Sequence, residues 1–273
     1  MPHEPKFPRA SAADTLPLSA AELPRPSERL RSLLGTPRGQ AALGLITGYF
    51  SATFENPEHI PRTGPALIVS NHALFALDSL VLGALIVREI GRYPRYLADR
   101  ALWKVPGLRQ VITAIGGLPG DPRSVDVLLR AGELVVVYPG GVDDSLKGDA
   151  QRYQLMWKKR AGFARVAMKA RAPIIPVVGL GIDDMYSVLW REHWLGRRVF
   201  GSERYDLPLP AGAYGTLLPR PVEQHYLVLP PIDTSGDPDA EPDVERVRRA
   251  TYDAIESQLR RYREARAAGL IDR

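Results

Sequence analysis

The sequence predicts an α/β fold: a mostly parallel central sheet covered by helices, with an N-terminal helical hairpin and a C-terminal amphipathic helix. Three observations predict it. From residue 65 onward, strand-like apolar runs alternate with helix-like runs, the rhythm of a parallel sheet with crossover helices. The runs Leu134-Val135-Val136-Val137 and Ile174-Ile175-Pro176-Val177-Val178 are apolar throughout, as strands buried on both faces must be. The long apolar stretch from Leu67 to Val87 is broken by Asn71, His72 and Asp78, which divides it into strand, turn and helix.

The elements follow in order. Residues 1–26, rich in Pro, Ala, Ser and Glu, read as a disordered arm. The main domain spans 27–232 and opens with a helical segment, 28–54. There Gly35-Thr36-Pro37 interrupts the apolar pattern, so two short helices are expected. That hairpin has two readings, membrane or substrate contact and plain packing on the core. Strands are expected at Ala66–Val69, Tyr96–Ala98, Glu133–Tyr138, Pro173–Leu180 and Gln224–Leu229. Helices are expected at Ser79–Ile90, Val105–Ile115, Ser124–Arg130 and Arg160–Lys169. Residues 181–222, rich in aromatics and prolines, read either as an irregular lid or as a hairpin completing the sheet edge. A Pro/Asp linker, 233–243, leads to a C-terminal helix over 244–273, whose apolar stripe begins Val244, Val247, Thr251. This helix reads as docked on the core, with contact to anionic lipid as the second reading.

Composition narrows the chemistry. The chain has no cysteine, which removes thiol nucleophiles, disulfides and thiolate zinc sites. Its five histidines show no metal-type pairing, so no bound metal is expected. The net charge of +5 suits anionic partners, but no nucleic-acid-reading motif is visible, and nucleic acid is not expected as a partner. No apolar run reaches about 18 residues, and the first 26 residues lack the apolar core of a signal peptide. The expected location is cytoplasmic, with peripheral contact to a membrane surface.

The chemistry concentrates where the first strong strand stops. His72 sits in the turn after Val69, and Asp78 sits where the next helix begins. An imidazole can accept a proton near neutral pH, and a carboxylate on its other nitrogen fixes the tautomer and supports the cation that forms. Six positions apart on one helix would place the two roughly 240° apart, so they meet only if His72 lies in the turn and Asp78 in the first helical turn. The plain alternative is an N-cap aspartate beside a loop histidine. Pro139-Gly140-Gly141 ends another buried strand, and its glycines let the backbone approach a ligand and offer amides to an oxyanion. The alternative there is a turn without a ligand.

Gly64-Pro65-Ala66-Leu67-Ile68-Val69-Ser70-Asn71-His72, followed by Asp78, resembles the first motif of the glycerolipid acyltransferase (PlsC-like, lysophospholipid acyltransferase) family. Three further segments occur in the family's order. Leu97-Ala98-Asp99-Arg100-Ala101-Leu102-Trp103-Lys104-Val105-Pro106 is similar to the segment after the first helix. Val137-Tyr138-Pro139-Gly140-Gly141 stands where the family has Pro-Glu-Gly-Thr-Arg, and Ala172-Pro173-Ile174-Ile175-Pro176-Val177 resembles its last motif. Gly117–Arg123 lies where the family places a basic residue on the acceptor. Coverage is roughly residues 47–230. The resemblance implies catalysis by His72 and Asp78, and substrate contacts at Asp99, Arg100, Arg123, Pro139, Gly140 and Gly141. Lys158-Lys159-Arg160 either attracts the acyl carrier's phosphates, through Lys159 and Arg160, or is a solvated face.

The chain departs from the family pattern in two ways. Five residues separate His72 from Asp78 where the family usually has four, and the turn must bulge to bring them together. Branches resembling monoacylglycerol and diacylglycerol acyltransferases share this HX5D spacing and the Pro-Gly-Gly segment. The arginine that would grip an acceptor phosphate is also missing, and Val142-Asp143-Asp144 follows instead, so a neutral acceptor is expected because two carboxylates would repel a phosphate. The resemblance thus implies transfer from acyl-CoA or acyl-carrier protein to a mono- or diacylglycerol hydroxyl. No cofactor is implied beyond acyl-CoA as co-substrate. No acyl-enzyme is needed, since cysteine and a G-x-S-x-G elbow are both absent. The rival readings are a lysophospholipid acyltransferase, a hydrolase and a lipid-binding protein with a decayed site.

Overall fold

The computed structural model describes residues 23, 24, 26–104, 107–192, 198 and 207–271. Most of the expected N-terminal arm lies outside these residues. Its described end packs on the body: Leu23 is buried, and the Pro24 carbonyl accepts a hydrogen bond from Arg95.

The two expected N-terminal helices are present, α1 (Glu28–Leu34) and α2 (Pro37–Tyr49). Thr36 separates them and caps α2 by accepting from the Gly39 N–H at 3.1 Å, with Pro37 at the first helical position. The helical segment does not extend to residue 54. Thr53–Glu55 is a strand, β1, too short to leave an alternation pattern in the sequence.

The remaining elements of the main sheet run as β2 (Ala66–Ser70), α3 (Leu77–Glu89), β3 (Arg95–Ala98), α4 (Leu108–Ala114) and β4 (Gly117–Pro119). They continue with α5 (Pro122–Arg130), β5 (Leu134–Val137), the one-turn α6 (Val142–Ser145), α7 (Gly162–Ala170) and β6 (Ile174–Leu180). A hairpin of β7 (Ser187–Glu192) and β8 (Leu207–Ala211) precedes β9 (His225–Val228) and the long α8 (Glu241–Ala267). The expected alternative of a hairpin holds, but the hairpin forms its own two-stranded sheet and does not complete the edge of the main one. Residues 193–197 and 199–206 lie outside the described part of that segment. Helix α8 starts at Glu241, inside the expected linker, because Pro242 fits the first helical turn.

The seven-stranded sheet has the order β1-β9-β6-β2-β5-β3-β4. All pairings are parallel except β6 with β9. Strand residues alternate between two cores. Leu67, Val69, Val135 and Val137 face the layer of α5, α7 and α8, while Ala66, Ile68, Leu134 and Val136 face α3. Every residue of β2 and β5 is buried, which explains why those two strands were readable as unbroken apolar runs. Leu43 of α2 packs against Ala84 and Val87 of α3 and holds the N-terminal helices to that layer.

This topology decides where the site can be. The carboxyl ends of β6, β2, β5, β3 and β4 open at one edge of the sheet. Antiparallel β9 brings the residues at its amino end, Gln224 to Tyr226, to that same edge. Among the described residues, no helix is long and apolar enough to cross a membrane.

Candidate active site

The His72–Asp78 turn sits at the end of the central strand β2. Asn71 fixes its start. Its side-chain amide donates to the Gly179 carbonyl at 2.9 Å and its oxygen accepts the Gly179 N–H at 2.8 Å, extending the β2–β6 ladder by one side chain. Removing that amide leaves two buried main-chain groups without partners, each costing about 1–3 kcal/mol. Asn71→Ala is therefore expected to lose about 2–4 kcal/mol of stability in a denaturant titration.

The extra residue of the His–Asp spacing is absorbed by two consecutive left-handed residues, Phe75 (φ 61°) and Ala76 (φ 61°). Neither is glycine, so the bend is strained by about 1–2 kcal/mol per residue. What holds it is Asp78. Its Oδ1 accepts the Ala73 N–H at 3.1 Å, and its Oδ2 accepts from His72 Nδ1 at 2.9 Å. Asp78 is not the N-cap, since Ala76 holds that position; it lies in the first turn of α3, where the helix dipole favours a carboxylate. Both side chains are nearly fully buried. The Tyr226 hydroxyl lies 3.2 Å from the Asp78 carbonyl and secures the same turn from β9.

With Nδ1 committed to Asp78, the imidazole presents Nε2, which has no partner among the described residues. The ring lies flat on Tyr138, with centroids 3.8 Å apart and planes 16° from parallel. Tyr138 was not singled out in the sequence. Its place one residue past β5, immediately before Pro139, is the signal that pointed to it. Burial, reinforced by the Asp78 charge, pushes its phenol well above the usual range and keeps it neutral.

The Pro139-Gly140-Gly141 turn follows Tyr138. Of the two amides expected to face a ligand, that of Gly141 is occupied by the Tyr138 carbonyl at 2.9 Å. The Gly140 N–H has no acceptor among the described residues. Arg160 stands neither open for phosphate nor free on a solvated face. It folds onto the turn, donating to the Pro139 carbonyl at 2.8 Å and to the Gly140 carbonyl, and it pairs with Asp143. Lys159 is exposed at the surface. Lys158 also pairs with Asp143, at 3.1 Å. The expected pair of bare carboxylates beside the acceptor is therefore absent: Asp143 is neutralised by two cations, and Asp144 is buried.

Asp144 is fully buried on α6. Its Oδ1 accepts the Met156 N–H at 2.8 Å, and its Oδ2 has no hydrogen-bond partner. Burial pushes the carboxyl up to about 6, against the opposing pull of the Lys147 ammonium and the Met156 amide. Lys147 is itself buried and pairs with Asp183 at 2.8 Å, just past β6. The folded pKa of Asp144 lies above the ordinary carboxylate value. Between pH ~4 and ~6 the folded chain thus holds a proton that the unfolded chain has released, and stability falls as pH rises through that window. Above pH ~6 the full cost remains, about 3 kcal/mol for two pKa units. Asp144→Asn is therefore expected to raise the melting temperature at pH 7.5, and the gain should shrink as pH approaches 4.

Arg100, Arg123 and Asp99 lie at the same sheet edge but on its far side. They follow β3 and flank the end of β4, separated from β2 by β5. At about 4.8 Å per strand, that puts β3 ~10 Å and β4 ~14 Å from the histidine's strand. Arg100 and Arg123 both pair with Asp121 at 3.0 Å, and Asp121 caps α5 by accepting the Arg123 N–H. Burial pushes the Asp121 carboxyl up, but the Arg123 hydrogen bonds and the two guanidinium charges outweigh it and hold the group below its ordinary range. Asp99 is half-buried and takes the Leu102 N–H on its carbonyl. The structure thus brings His72, Asp78, Pro139, Gly140 and Gly141 together and places the Asp99–Arg123 group apart from them.

The site is thus a buried imidazole held by a carboxylate at the carboxyl edge of a mostly parallel sheet, beside a glycine turn, in an α/β fold. Residues 51–179, just under half of the chain, match the model of the Acyltransferase family. Similar curated proteins carry the description "DGAT1/2-independent enzyme synthesizing storage lipids". The Homo sapiens protein is 32% identical over 205 residues, 74% of this chain and 60% of that protein. The Gallus gallus protein is 40% identical over 154 residues, 56% of this chain and 44% of that one. The match to the human protein therefore spans less than two thirds of that relative's length. A crystal structure of the 1-acyl-sn-glycerophosphate acyltransferase PlsC from Thermotoga maritima shares the fold, with a TM-score of 0.54 and 20% identity over 86% of each chain.

Proposed function

We propose that this protein transfers a fatty acyl group from a thioester, acyl-CoA or acyl-carrier protein, to a hydroxyl of a neutral lipid such as mono- or diacylglycerol. The observation that carries the reading is the buried 2.9 Å contact between His72 Nδ1 and Asp78 Oδ2, which leaves Nε2 open. In this reading Nε2 takes the acceptor's proton as its oxygen attacks the thioester carbonyl. Asp78 keeps the imidazole in the right tautomer and supports its positive charge. The Gly140 N–H faces the tetrahedral oxyanion, and the thiolate of the acyl carrier leaves. The acyl group passes directly to the acceptor, so no enzyme nucleophile is required.

The neutral acceptor is supported by the charges around the site. Arg100 and Arg123 share Asp121, and Arg160 is tied to the glycine turn and to Asp143. A phosphate would have to displace these pairings. The exposed apolar side chains Leu45, Leu217 and Leu218 support peripheral contact with a lipid surface. They belong to α2 and to the 213–218 turn, which the Tyr49 hydroxyl joins through the Pro219 carbonyl at 2.7 Å. The test incubates purified protein with acyl-CoA and a panel of monoacylglycerol, diacylglycerol and lysophosphatidate, with products identified by mass. Neutral glyceride is expected. Faster transfer to lysophosphatidate would overturn the acceptor, and release of free fatty acid without acceptor would make the protein a hydrolase.

A further inference from the structure

The Asp144 carboxylate fills the space into which a side chain on residue 140 would grow. A Cβ on Gly140 would lie 1.9 Å from Asp144 Oδ2 and 2.0 Å from its Cγ, closer than atoms can approach. The backbone at 140 does not itself demand glycine, because its φ is not in the left-handed region; that of Gly141, at 52°, is. Glycine is needed at 140 because Asp144 is there. The segment that Pro139-Gly140-Gly141 resembles carries a glutamate at this position.

We propose that Asp144 supplies, from four residues downstream, the carboxylate that the Pro-Glu-Gly segment carries after its proline, and that it is a positioning residue for acyl transfer. This role rests on the acyl-transfer reading of the site. The residue acts through the turn. Arg160 grips the Pro139 and Gly140 carbonyls, and the Asp144 carboxylate packs against Gly140. Tyr138, the first residue of the same turn, carries the His72 ring. The turn therefore sets both the height of the imidazole and the direction of the Gly140 N–H. The one-turn helix α6 makes the placement possible, since the Asp143 and Ser145 amides close back on the Gly140 and Gly141 carbonyls at 3.2 and 2.9 Å.

The carboxylate's own environment points the same way. One oxygen is held by Met156 N–H and the other is buried without a donor. The titratable groups that act on it are Lys147, His72 and Asp183. A buried carboxylate with an unmade hydrogen bond opposes folding. Its presence beside His72 is therefore accounted for by the site and not by stability, the usual pattern where activity and stability compete.

The test is a carboxylate transfer between the two positions. Asp144→Ala is expected to lower the rate of acyl transfer about tenfold to a hundredfold, mainly in kcat, because the oxyanion donor and the base lose their alignment. Gly140→Glu alone is expected to lower the melting temperature, because its Cβ meets Asp144. The double variant Gly140→Glu with Asp144→Ala should recover melting temperature and most of the rate, and Gly140→Asp in place of Glu gives a second length of side chain. Full activity in Asp144→Ala, or no recovery of rate in either double variant while both remain folded, overturns the positioning role. The melting temperatures are read without substrate. If the wild-type chain transfers no acyl group, the acyl-transfer reading fails, whereas equal destabilisation by Gly140→Glu with and without Asp144 rejects the shared space itself.

Discussion

His72→Ala is expected to reduce kcat for acyl transfer by about 10²–10⁴-fold, with little change in KM. The asymmetry follows from what the ring touches. An acceptor alcohol is a poor nucleophile until its proton has somewhere to go, and Nε2 is the one ring nitrogen not committed to a protein partner. Truncation removes that proton acceptor, while the glycine turn and the exposed apolar side chains of α2 and the 213–218 turn stay in place. Removing the ring also uncovers the Tyr138 face on which it stacks. His72→Gln, which fills more of that space, should be equally inactive but better folded. Initial rates with acyl-CoA and monoacylglycerol, compared with melting temperatures for both variants, check this. Near-wild-type turnover in either variant removes general-base catalysis from the account.

The fold was readable from sequence where burial writes a long signal. Strands β2, β5 and β6 are buried on both faces, so their apolar runs stand out. Strands β1 and β4, with three residues each, give no period to detect. The hairpin β7–β8 was one of two readings of its segment, because its prolines and exposed apolar residues, Leu189 and Trp190 among them, fit a strand and a loop equally well.

The site was partly legible for a related reason. The sequence shows that a histidine in the turn and an aspartate in the first helical turn can meet only across a bulge. It does not show that Phe75 and Ala76 make that bulge, because neither residue type favours the left-handed region. Nor can it show who pairs with whom. Arg100, Arg123 and Arg160 look like free cations in a string of letters, yet each has a carboxylate partner, Asp121 or Asp143, in the folded chain. Asp144 was expected to act as a carboxylate beside the acceptor and is a buried group packed on Gly140. Burial of a polar residue is set by tertiary contacts, which local pattern does not encode.

Asp78→Asn separates orientation from fold. Asparagine is nearly the same size, and its oxygen can still accept the Ala73 N–H that now goes to Oδ1. Its amide then faces His72 Nδ1 with a donor in place of an acceptor. The imidazole responds by leaving Nδ1 unprotonated and carrying its proton on Nε2, the atom that must be bare to act as base. Loss of the carboxylate also removes the charge that supports the imidazolium. A drop in kcat of about 10³–10⁴-fold is expected, with the melting temperature nearly unchanged. Asp78→Ala should be as inactive but also unstable by about 1–3 kcal/mol, because the Ala73 amide loses its acceptor inside a turn already strained at Phe75 and Ala76. The contrast between the two variants carries the test. If Asp78→Asn keeps its rate within about tenfold of wild type, the carboxylate is only a clasp for the bend and the histidine works without it. If it is inactive and still melts like the wild type, the loss can be assigned to the tautomer and charge of His72, because the bend that carries the ring has remained closed.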